Sequence, residues 1–392
     1  MSKNINVPKL RFKEFSGEWE EKKLGDIVTF YNSKRIPLTE TDREKGIYPY
    51  YGASGIIDYV KDYIFDGEYI LLGEDGANIV LRNSRLVFLA NGKFWLNNHA
   101  HIFKAKESNY FLCEILERIN YTKYNTGTAQ PKLNAEVVKK IKIKIPQKEE
   151  QEKIALFLGS VDKKIEKLTK KNELLQQYKK SIMQKIFSQE IRFKDDKGKE
   201  FPEWEEKELR DIFISIKGKG LSKNDLVDNG QNKCILYGEL YTTYPEVIKE
   251  IKSFTNSNDG IKSIYGDLLI PCSTTTTGID LANATALYED NVLLGGDITI
   301  LRFKKKGNST FYAYFLTHFK KYDLAKFGQG STIVHLYFEH FKNMKIKIPL
   351  EIKEQNKIAN FLSSIDYKIE ENQKILEKTK EFKKSLLQQM FV

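Results

Sequence analysis

Two stretches of this chain place apolar residues at alternating spacings of four and three, with a few polar members on the same line. After Pro146 the line runs through Ile154, Leu158, Val161, Ile165, Leu168, Asn172, Leu175, Lys179, Ile182 and Ile186. After Pro349 it runs through Ile358, Leu362, Ile365, Ile369, Asn372, Leu376, Thr379, Lys383, Leu386 and Met390. This spacing predicts two helices with heptad seams. Each is about 40 residues long and so roughly 60 Å at about 1.5 Å per residue. A lone helix of that kind leaves its apolar stripe wet, so each wants a partner. Antiparallel pairing with Asn172 opposite Asn372 puts Ile154 opposite Met390, Leu158 opposite Leu386, Leu168 opposite Leu376, Ile182 opposite Leu362 and Ile186 opposite Ile358. Parallel pairing instead sets Asn172 against Leu376 and Leu168 against Asn372, burying amides beside leucine without a partner. The antiparallel pair is therefore expected, with Asn172 and Asn372 setting its register. The alternative is that both asparagines sit hydrated at the edge of the seam.

Outside these stretches the pattern changes to short runs of Tyr, Phe, Ile and Val broken by Gly, Asn and Asp, which is strand and turn chemistry. Helices are expected at "YFLCEILERINY" from Tyr110 and "FYAYFLTHFKKY" from Phe311. A repeated frame encloses both variable regions. "GEWEEKKLGDI" from Gly17 recurs as "PEWEEKELRDI" from Pro202, "KIKIP" from Lys142 recurs at Lys345, and "KKSIMQKIF" from Lys179 recurs as "KKSLLQQMF" from Lys383. A segment copied within one chain marks an architectural unit used twice. Between the copies the sequences diverge: "YPYYGASGIIDYV" and "LLGEDGANIVLRN" stand in the first half, "LYGELYTTYPEV" and "LLIPCSTTTTGID" in the second. The expected fold is α+β: two mostly β domains in a pseudo-twofold arrangement, joined by two long antiparallel coiled-coil helices. The expected boundaries are 1–146 and 189–349 for the domains, and 147–188 and 350–392 for the helices.

Length agrees with two or three domains, since 392 residues exceed one ordinary core. With 41% hydrophobic and 30% charged residues the chain is globular and has no apolar run of membrane-spanning length. Its N-terminus carries no secretory signal pattern, so a cytoplasmic location is expected. Cys113, Cys234 and Cys272 are odd in number and far apart, as buried reduced thiols are. A net charge of +11 is compatible with a polyanionic partner but is spread along the chain. No phosphate loop, dinucleotide fingerprint or nucleophile elbow is present. The histidines His99, His101, His318, His335 and His340 form no metal-ligand pattern, although His99 and His101 share a strand face. Neither a metal nor a catalytic role is therefore expected of this chain.

The duplicated frame, with its paired Glu150–Gln151 and Glu354–Gln355, the "KIA.FL" runs and the "D.KI" steps, resembles the specificity subunit of type I restriction-modification systems across essentially the whole chain. That resemblance implies two target recognition domains, each reading one half of a split, asymmetric DNA sequence, held apart by the helical spacer. It implies a non-catalytic chain with double-stranded DNA, two methyltransferase subunits and restriction subunits as partners. S-adenosylmethionine, ATP and Mg²⁺ are implied for those partners and no cofactor for this chain. One departure stands before the second "KIKIP": "TGTAQPKL" follows the family's Gly-Thr-x-Gln-x-x-Leu pattern, whereas "QGSTIVHL" has Ile333 in place of Gln130.

Side chains that read DNA are drawn from Arg, Asn, Gln, Ser, Thr and Tyr on loops. In the first domain the candidates are Tyr50, Tyr51, Ser54, Arg82, Asn83, Arg85, Thr126, Thr128 and Gln130. In the second they are Tyr237, Tyr241, Thr242, Thr243, Ser273, Thr274, Thr275, Thr276, Thr277, Gln329, Ser331 and Thr332. The competing reading is ordinary: Tyr is usually half-buried core and Thr runs are usually strand surface. Two rival functions also remain open at this point: a two-domain nucleic-acid binder acting alone, and a coiled-coil scaffold that touches no nucleic acid.

Overall fold

The computed structural model describes residues 6–127 and 129–392. It divides into two units, one formed by Met1–Lys170 with Gln373–Val392 and the other by Lys171–Asn372. The division falls inside the long helices, so each unit contains part of both. Among the described residues no helix is long and apolar enough to cross a membrane.

In the first unit the repeated frame becomes a two-stranded clasp. Strand β1 (Glu20–Lys23) pairs antiparallel with β10 (Lys142–Ile145), Glu20 opposite Ile145 and Lys23 opposite Lys142. Strand alternation turns Ile143 and Ile145 inward and leaves the lysines toward solvent. Between the two clasp strands lie β2 (Val28–Phe30), β3 (Lys45–Gly52), β4 (Gly55–Val60), β5 (Phe65–Asp66), β6 (Tyr69–Gly73), β7 (Val87–Ala90), β8 (Lys93–Leu96) and β9 (Ala100–Ala105). They form two four-stranded sheets, ordered β2-β9-β6-β7 and β4-β3-β8-β5. Strand β6 is apolar throughout and fully buried, as expected where both faces are covered. Helix α1 (Asn109–Glu117) starts at Ser108, whose hydroxyl accepts from the Phe111 N–H.

The second unit repeats the clasp: β11 (Glu205–Glu208) pairs with the Lys345–Ile348 strand, Glu205 opposite Ile348. Inside it run β12 (Phe213–Lys217), β13 (Asn232–Ile235), β14 (Val247–Ile248), β15 (Ser253–Thr255), β16 (Ile261–Lys262), β17 (Asp267–Pro271), β18 (Ser273–Thr274), β19 (Thr285–Leu287), β20 (Leu293–Leu294), β21 (Ile298–Phe303) and β22 (Val334–His335), and the clasp strand at Lys345–Ile348 is β23. The sheets are β12-β21-β17-β19-β14, β15-β13-β20-β16 and the small pair β18-β22. The middle of the larger sheet, β21-β17, corresponds to β9-β6 of the first unit.

The long helices are Lys148–Phe187, here α2, and Ile352–Met390, here α4, with a short α3 (Ser309–Tyr314) standing where α1 stands in the first unit. In the first unit Ile154, Leu158 and Val161 from early α2 share a core with Leu386 and Met390 from late α4. In the second, Met183 and Ile186 from late α2 share a core with Ile358, Leu362 and Ile365 from early α4. Within each unit the two helices are therefore antiparallel. Asn172 is half-buried, and Asn372 is 2% exposed.

A polar latch recurs in both units. In the first, Tyr110 of α1 donates its hydroxyl hydrogen to Asp162 of α2, and Lys383 of α4 sits 2.7 Å from the same carboxylate. In the second, Tyr314 of α3 donates to Asp366 of α4 at 2.5 Å, and Lys179 of α2 lies 2.6 Å from that carboxylate. Tyr110, Asp162 and Lys179 stand at the same sequence spacing as Tyr314, Asp366 and Lys383, so the duplication extends to this three-residue contact. The helices exchange roles between units, α2 giving the acid in one and the lysine in the other. That exchange is what antiparallel helices with copied sequences require. Burial, and then the neighbouring aspartate, push both tyrosine hydroxyls far above their ordinary pKa, so they stay protonated donors.

Candidate functional site

Each unit brings three separate segments together at one end of its central strand pair. In the first unit, β6 ends at Gly73 and leads into Glu74–Ala77; Ala100 opens β9 opposite Gly73; and residues 130–133 fold back upon them. The Leu133 N–H bonds to the Glu74 carbonyl at 2.7 Å, and the Gly76 N–H bonds to the Pro131 carbonyl at 3.0 Å. Asn125 holds the turn closed, its side-chain oxygen accepting from the N–H groups of Gly127 and Lys132. In the second unit the Leu336 N–H bonds to the Cys272 carbonyl at 2.9 Å, and β18 pairs with β22, Ser273 opposite His335. Glycine is required at the two turns: a Cβ on Gly127 would lie 1.8 Å from the Gln130 carbonyl oxygen, and one on Gly330 would lie 2.0 Å from that of Ile333. The frame is shared, and the departure of Ile333 from Gln130 is a change of side chain on a common turn.

The polar contents of the two sites differ. In the first, Glu74 accepts from Arg35 at 2.6 Å and lies 3.5 Å from His101 and 3.6 Å from Lys132. Burial disfavours the Glu74 carboxylate, but Arg35, His101 and Lys132 outweigh it and hold its pKa below the ordinary value. His101 is 1% exposed, with its ring bonded to the Leu133 carbonyl and the Asn32 side chain; burial lowers its pKa. It braces the turn from inside. His99 is half exposed, and its Nδ1 faces Asp75 at 2.8 Å. In the second unit Cys272 and Thr299 replace the Glu74 and His101 pair, sulfur to hydroxyl 3.0 Å apart, and burial pushes the Cys272 thiol up to about 11. A thiol so held is a packing group, not a nucleophile.

Next to the second site runs a groove of about 800 Å³, whose lining includes Lys217, Lys219, Lys223, Tyr237, Thr242 and Asp297. Its lysines lie on "KGKGLSK", in which Gly218 passes within 2.0 Å, measured from a virtual Cβ, of the Gly295 carbonyl oxygen. Residue type alone did not single out this loop, although the alternation of Lys and Gly was a visible signal of cations on a tightly turning backbone. A larger cavity of about 900 Å³ lies beside the Lys179 latch and involves none of the candidate DNA readers.

The sequence candidates separate by position. Tyr51 is half-buried and Ser54 is exposed, and the loop between them meets the first site through Gly73, whose virtual Cβ lies 2.7 Å from the Ala53 carbonyl oxygen. Thr126 and Gln130 lie on the turn, Thr126 bonded to the Lys132 carbonyl and Gln130 exposed. Thr128 lies outside the described residues. Tyr50 requires correction: it is 0% exposed, its hydroxyl bonds to Leu38 and Arg43 covers its ring, so it has no face to offer a ligand. Arg82 and Arg85 are turned to Glu117 at 2.7 Å and Glu114 at 3.0 Å, both on α1, with Asn83 exposed between them. Those guanidiniums tie the loop to α1, and Arg82 also lies over the Tyr121 ring.

In the second unit Tyr237, Thr242 and Thr243 are exposed and Tyr241 is half-buried, with Tyr237 and Thr242 on the groove. Ser273 and Thr274 are 5% and 3% exposed and belong to β18, a second correction: strand pairing and Asp297 consume them. Thr276 and Thr277 both donate to Asp280, a capping arrangement for the turn at Gly278–Leu281, while Thr275 is exposed. Gln329, Ser331 and Thr332 are exposed on the turn that matches Gly127–Gln130. Among the described residues no group of three or more His, Cys, Asp or Glu is arranged to hold a metal ion.

Comparison with known proteins agrees with this duplicated arrangement. The family described as type I restriction modification DNA specificity domain matches twice, over residues 16–176 and 202–381. A Haemophilus influenzae protein assigned as a type I restriction enzyme specificity subunit is 29% identical over 89% of this chain and 88% of its own length. The MjaVIII specificity subunit of Methanocaldococcus jannaschii is 25% identical over 96% of this chain and 94% of its own. The crystal structure of the S subunit of a type I system from M. genitalium covers 98% of this chain and 99% of its own, with a TM-score of 0.66 at 16% identity, a likeness of fold. Two matches to one domain, in register with two copies of one frame, show that the chain belongs to the type I restriction-modification specificity subunits.

Proposed function

We propose that this chain reads a bipartite DNA target, each unit recognising one unlike half, and thereby directs adenine methylation and cleavage carried out by other subunits. The role is recognition, not catalysis. The observation that carries the reading is the pair of turns on a common backbone frame with different side chains: Gln130, Lys132 and His99 at one, Ile333, His335 and Asp297 at the other. A protein that reads two different half-sites needs one scaffold and two sets of hydrogen-bonding groups.

Partners follow from the same reading. Two methyltransferase subunits would supply S-adenosylmethionine chemistry on adenine, and restriction subunits would use ATP and Mg²⁺; this chain needs no cofactor of its own for recognition. A solved chain from a study of type I complex assembly has the same fold, with a TM-score of 0.52, which supports assembly as the working state. The proposed location is the cytoplasm, where the DNA lies.

Base-resolution adenine methylation mapping in cells making this chain with a methyltransferase subunit, against the subunit alone, tests the proposal. A new motif with two unlike halves and a fixed gap is expected. An active methyltransferase complex that yields no such motif would overturn it in favour of the scaffold reading.

A further inference from the structure

His99 and Asp297 occupy one and the same position in the two units. Each directly precedes the strand that pairs with the central one: Ala100 lies opposite Gly73, and Ile298 lies opposite Pro271. The carbonyl of each accepts the N–H that follows the central strand, Glu74 to His99 and Cys272 to Asp297, both at 2.8 Å. Each side chain is then held by the next residue along, Asp75 at 2.8 Å from His99 Nδ1 and the Ser273 hydroxyl at 2.9 Å from Asp297 Oδ2. The hydrogen-bond register is therefore the same in both and the side chain is braced in both, while the chemistry at the tip differs. Asp297 also adopts a left-handed backbone at φ 57°, which His99 does not, a region that few non-glycine residues enter and in which Asn and Asp are enriched.

We propose that this shared position is a base-reading position, His99 for one half-site and Asp297 for the other. The proposal rests on the recognition reading above. With Oδ2 engaged by Ser273, Asp297 presents Oδ1, which only accepts, so its base must bring an amino hydrogen: cytosine N4 or adenine N6 in the major groove. The neighbouring Lys217, Lys219 and Lys223 on the groove offset the cost of bringing a carboxylate to a polyanion. His99 turns Nδ1 to Asp75 and presents Nε2, a different reader on the same mount.

The test is methylation mapping of complexes carrying Asp297→Asn or His99→Asn beside the unaltered chain. Asparagine tolerates the left-handed backbone and can still accept from Ser273. Asp297→Asn is expected to change or relax one base of one half-site, by about 5- to 150-fold in relative methylation, and to leave the other half intact. His99→Asn should do the converse. An unchanged motif in both variants overturns the proposal, as does a uniform loss of methylation at every site from an assembled complex. Asp297→Gly, which keeps the backbone and removes the acceptor, repeats the test should the asparagine variant fail to assemble. If the unaltered chain itself yields no bipartite motif, the recognition reading fails first, and the two failures are distinguishable.

Discussion

Replacing Lys179 with methionine keeps most of the side-chain stem and removes the charge that latches α2 to the second unit. Lys179 is 13% exposed, 2.6 Å from Asp366 and 3.5 Å from Glu246. Without it two partly buried carboxylates lose their shared cation, Asp366 keeping the Tyr314 hydroxyl and Glu246 keeping His318 and a backbone N–H as donors. Deleting one partner of a well-buried ion pair costs about 3 to 5 kcal/mol because the other charge stays buried. Asp366 is 21% exposed and Glu246 15%, so some water screens them, and about 2 to 4 kcal/mol is the expected loss. Asp366→Asn leaves Lys179 with Glu246 and should cost less, about 1 to 2 kcal/mol. The double variant should then lose less than the sum of the singles, by about 1 to 3 kcal/mol, since the two act on one contact. Because a chain of two units does not unfold as one transition, hydrogen exchange resolved peptide by peptide is the suitable assay. Protection should fall in residues 209–348 and persist in residues 20–145. Lys383→Met, at the matching position of the first unit, should give the mirror result. Equal loss in both units from Lys179→Met, or strict additivity with Asp366→Asn, would refute the latch as described.

The remaining expectations concern pH, DNA and the seam. Burial opposes the Glu246 charge, but the His318 hydrogen bond and Lys179 hold its carboxyl down at about 2, against 4.5 ordinarily. Such a depressed carboxyl contributes stability fully above about pH 4.5 and loses it as pH falls toward 2, about 3 kcal/mol in all. His318→Gln should shrink that acid-sensitive part in the second unit, and an unchanged acid profile would count against the assignment. Lys219→Ala with Lys223→Ala should weaken duplex binding by the assembled complex and lower the log–log salt slope by about 0.9 for each phosphate no longer neutralised, without altering the methylated motif. An unaltered slope would remove the groove from the DNA path. Asn172→Leu should cost about 1 to 3 kcal/mol if the asparagines set the register, measured by denaturation of the second unit; a gain in stability would show that Asn172 has no part in setting it.

What the sequence disclosed depended on whether the signal was local. The heptad seams and the frame strands were legible because helix and strand periods are short-range, and "KIKI" with its alternate inward isoleucines needs only its own pattern. Antiparallel helix pairing was legible because two copied seams have few ways to match polar to polar. The reading residues were harder, for reasons visible in particular pairs. Tyr50 and Tyr51 are neighbours on one strand with a register shift between them; composition favours both equally, and only the pairing of β3 with β4 and β8 seals Tyr50 in the core while Tyr51 stays half-buried against Phe88 and Phe94. Arg82 and Arg85 looked like DNA contacts until α1 brought Glu114 and Glu117 to them at the same three-residue step. His99 and Asp297 were not paired by any alignment of letters, since the loops around them diverge. Their equivalence lies in backbone hydrogen bonds made across the sheet.

That contrast bears on how such a chain can change its target without losing its fold. The latch residues, the clasp isoleucines and the seam are copied between units, and substitution there is expected to act on stability. At the turn and at the position of His99 and Asp297, the backbone contacts are made by N–H and C=O groups that any residue supplies, Gly127 and Gly330 excepted. Outside Asn125, which closes the first turn, His101, which braces it from inside, and Asp297, whose left-handed backbone restricts what can replace it, side chains there are freed from structural duty apart from a neighbour that braces them. Specificity can be rewritten at such positions at little cost in folding free energy, whereas at Tyr110 or Asp162 it cannot. Exchanging Asp75 and His99 together for Ser and Asp, the pair found in the second unit, is accordingly expected to preserve assembly and alter one half of the motif. Exchanging His99 alone for Asp would set two carboxylates, Asp75 and the new one, within hydrogen-bonding reach, a repulsion that the paired exchange avoids. A complex that assembles equally well with the single and the paired exchange would show that the brace has no part in holding the reader.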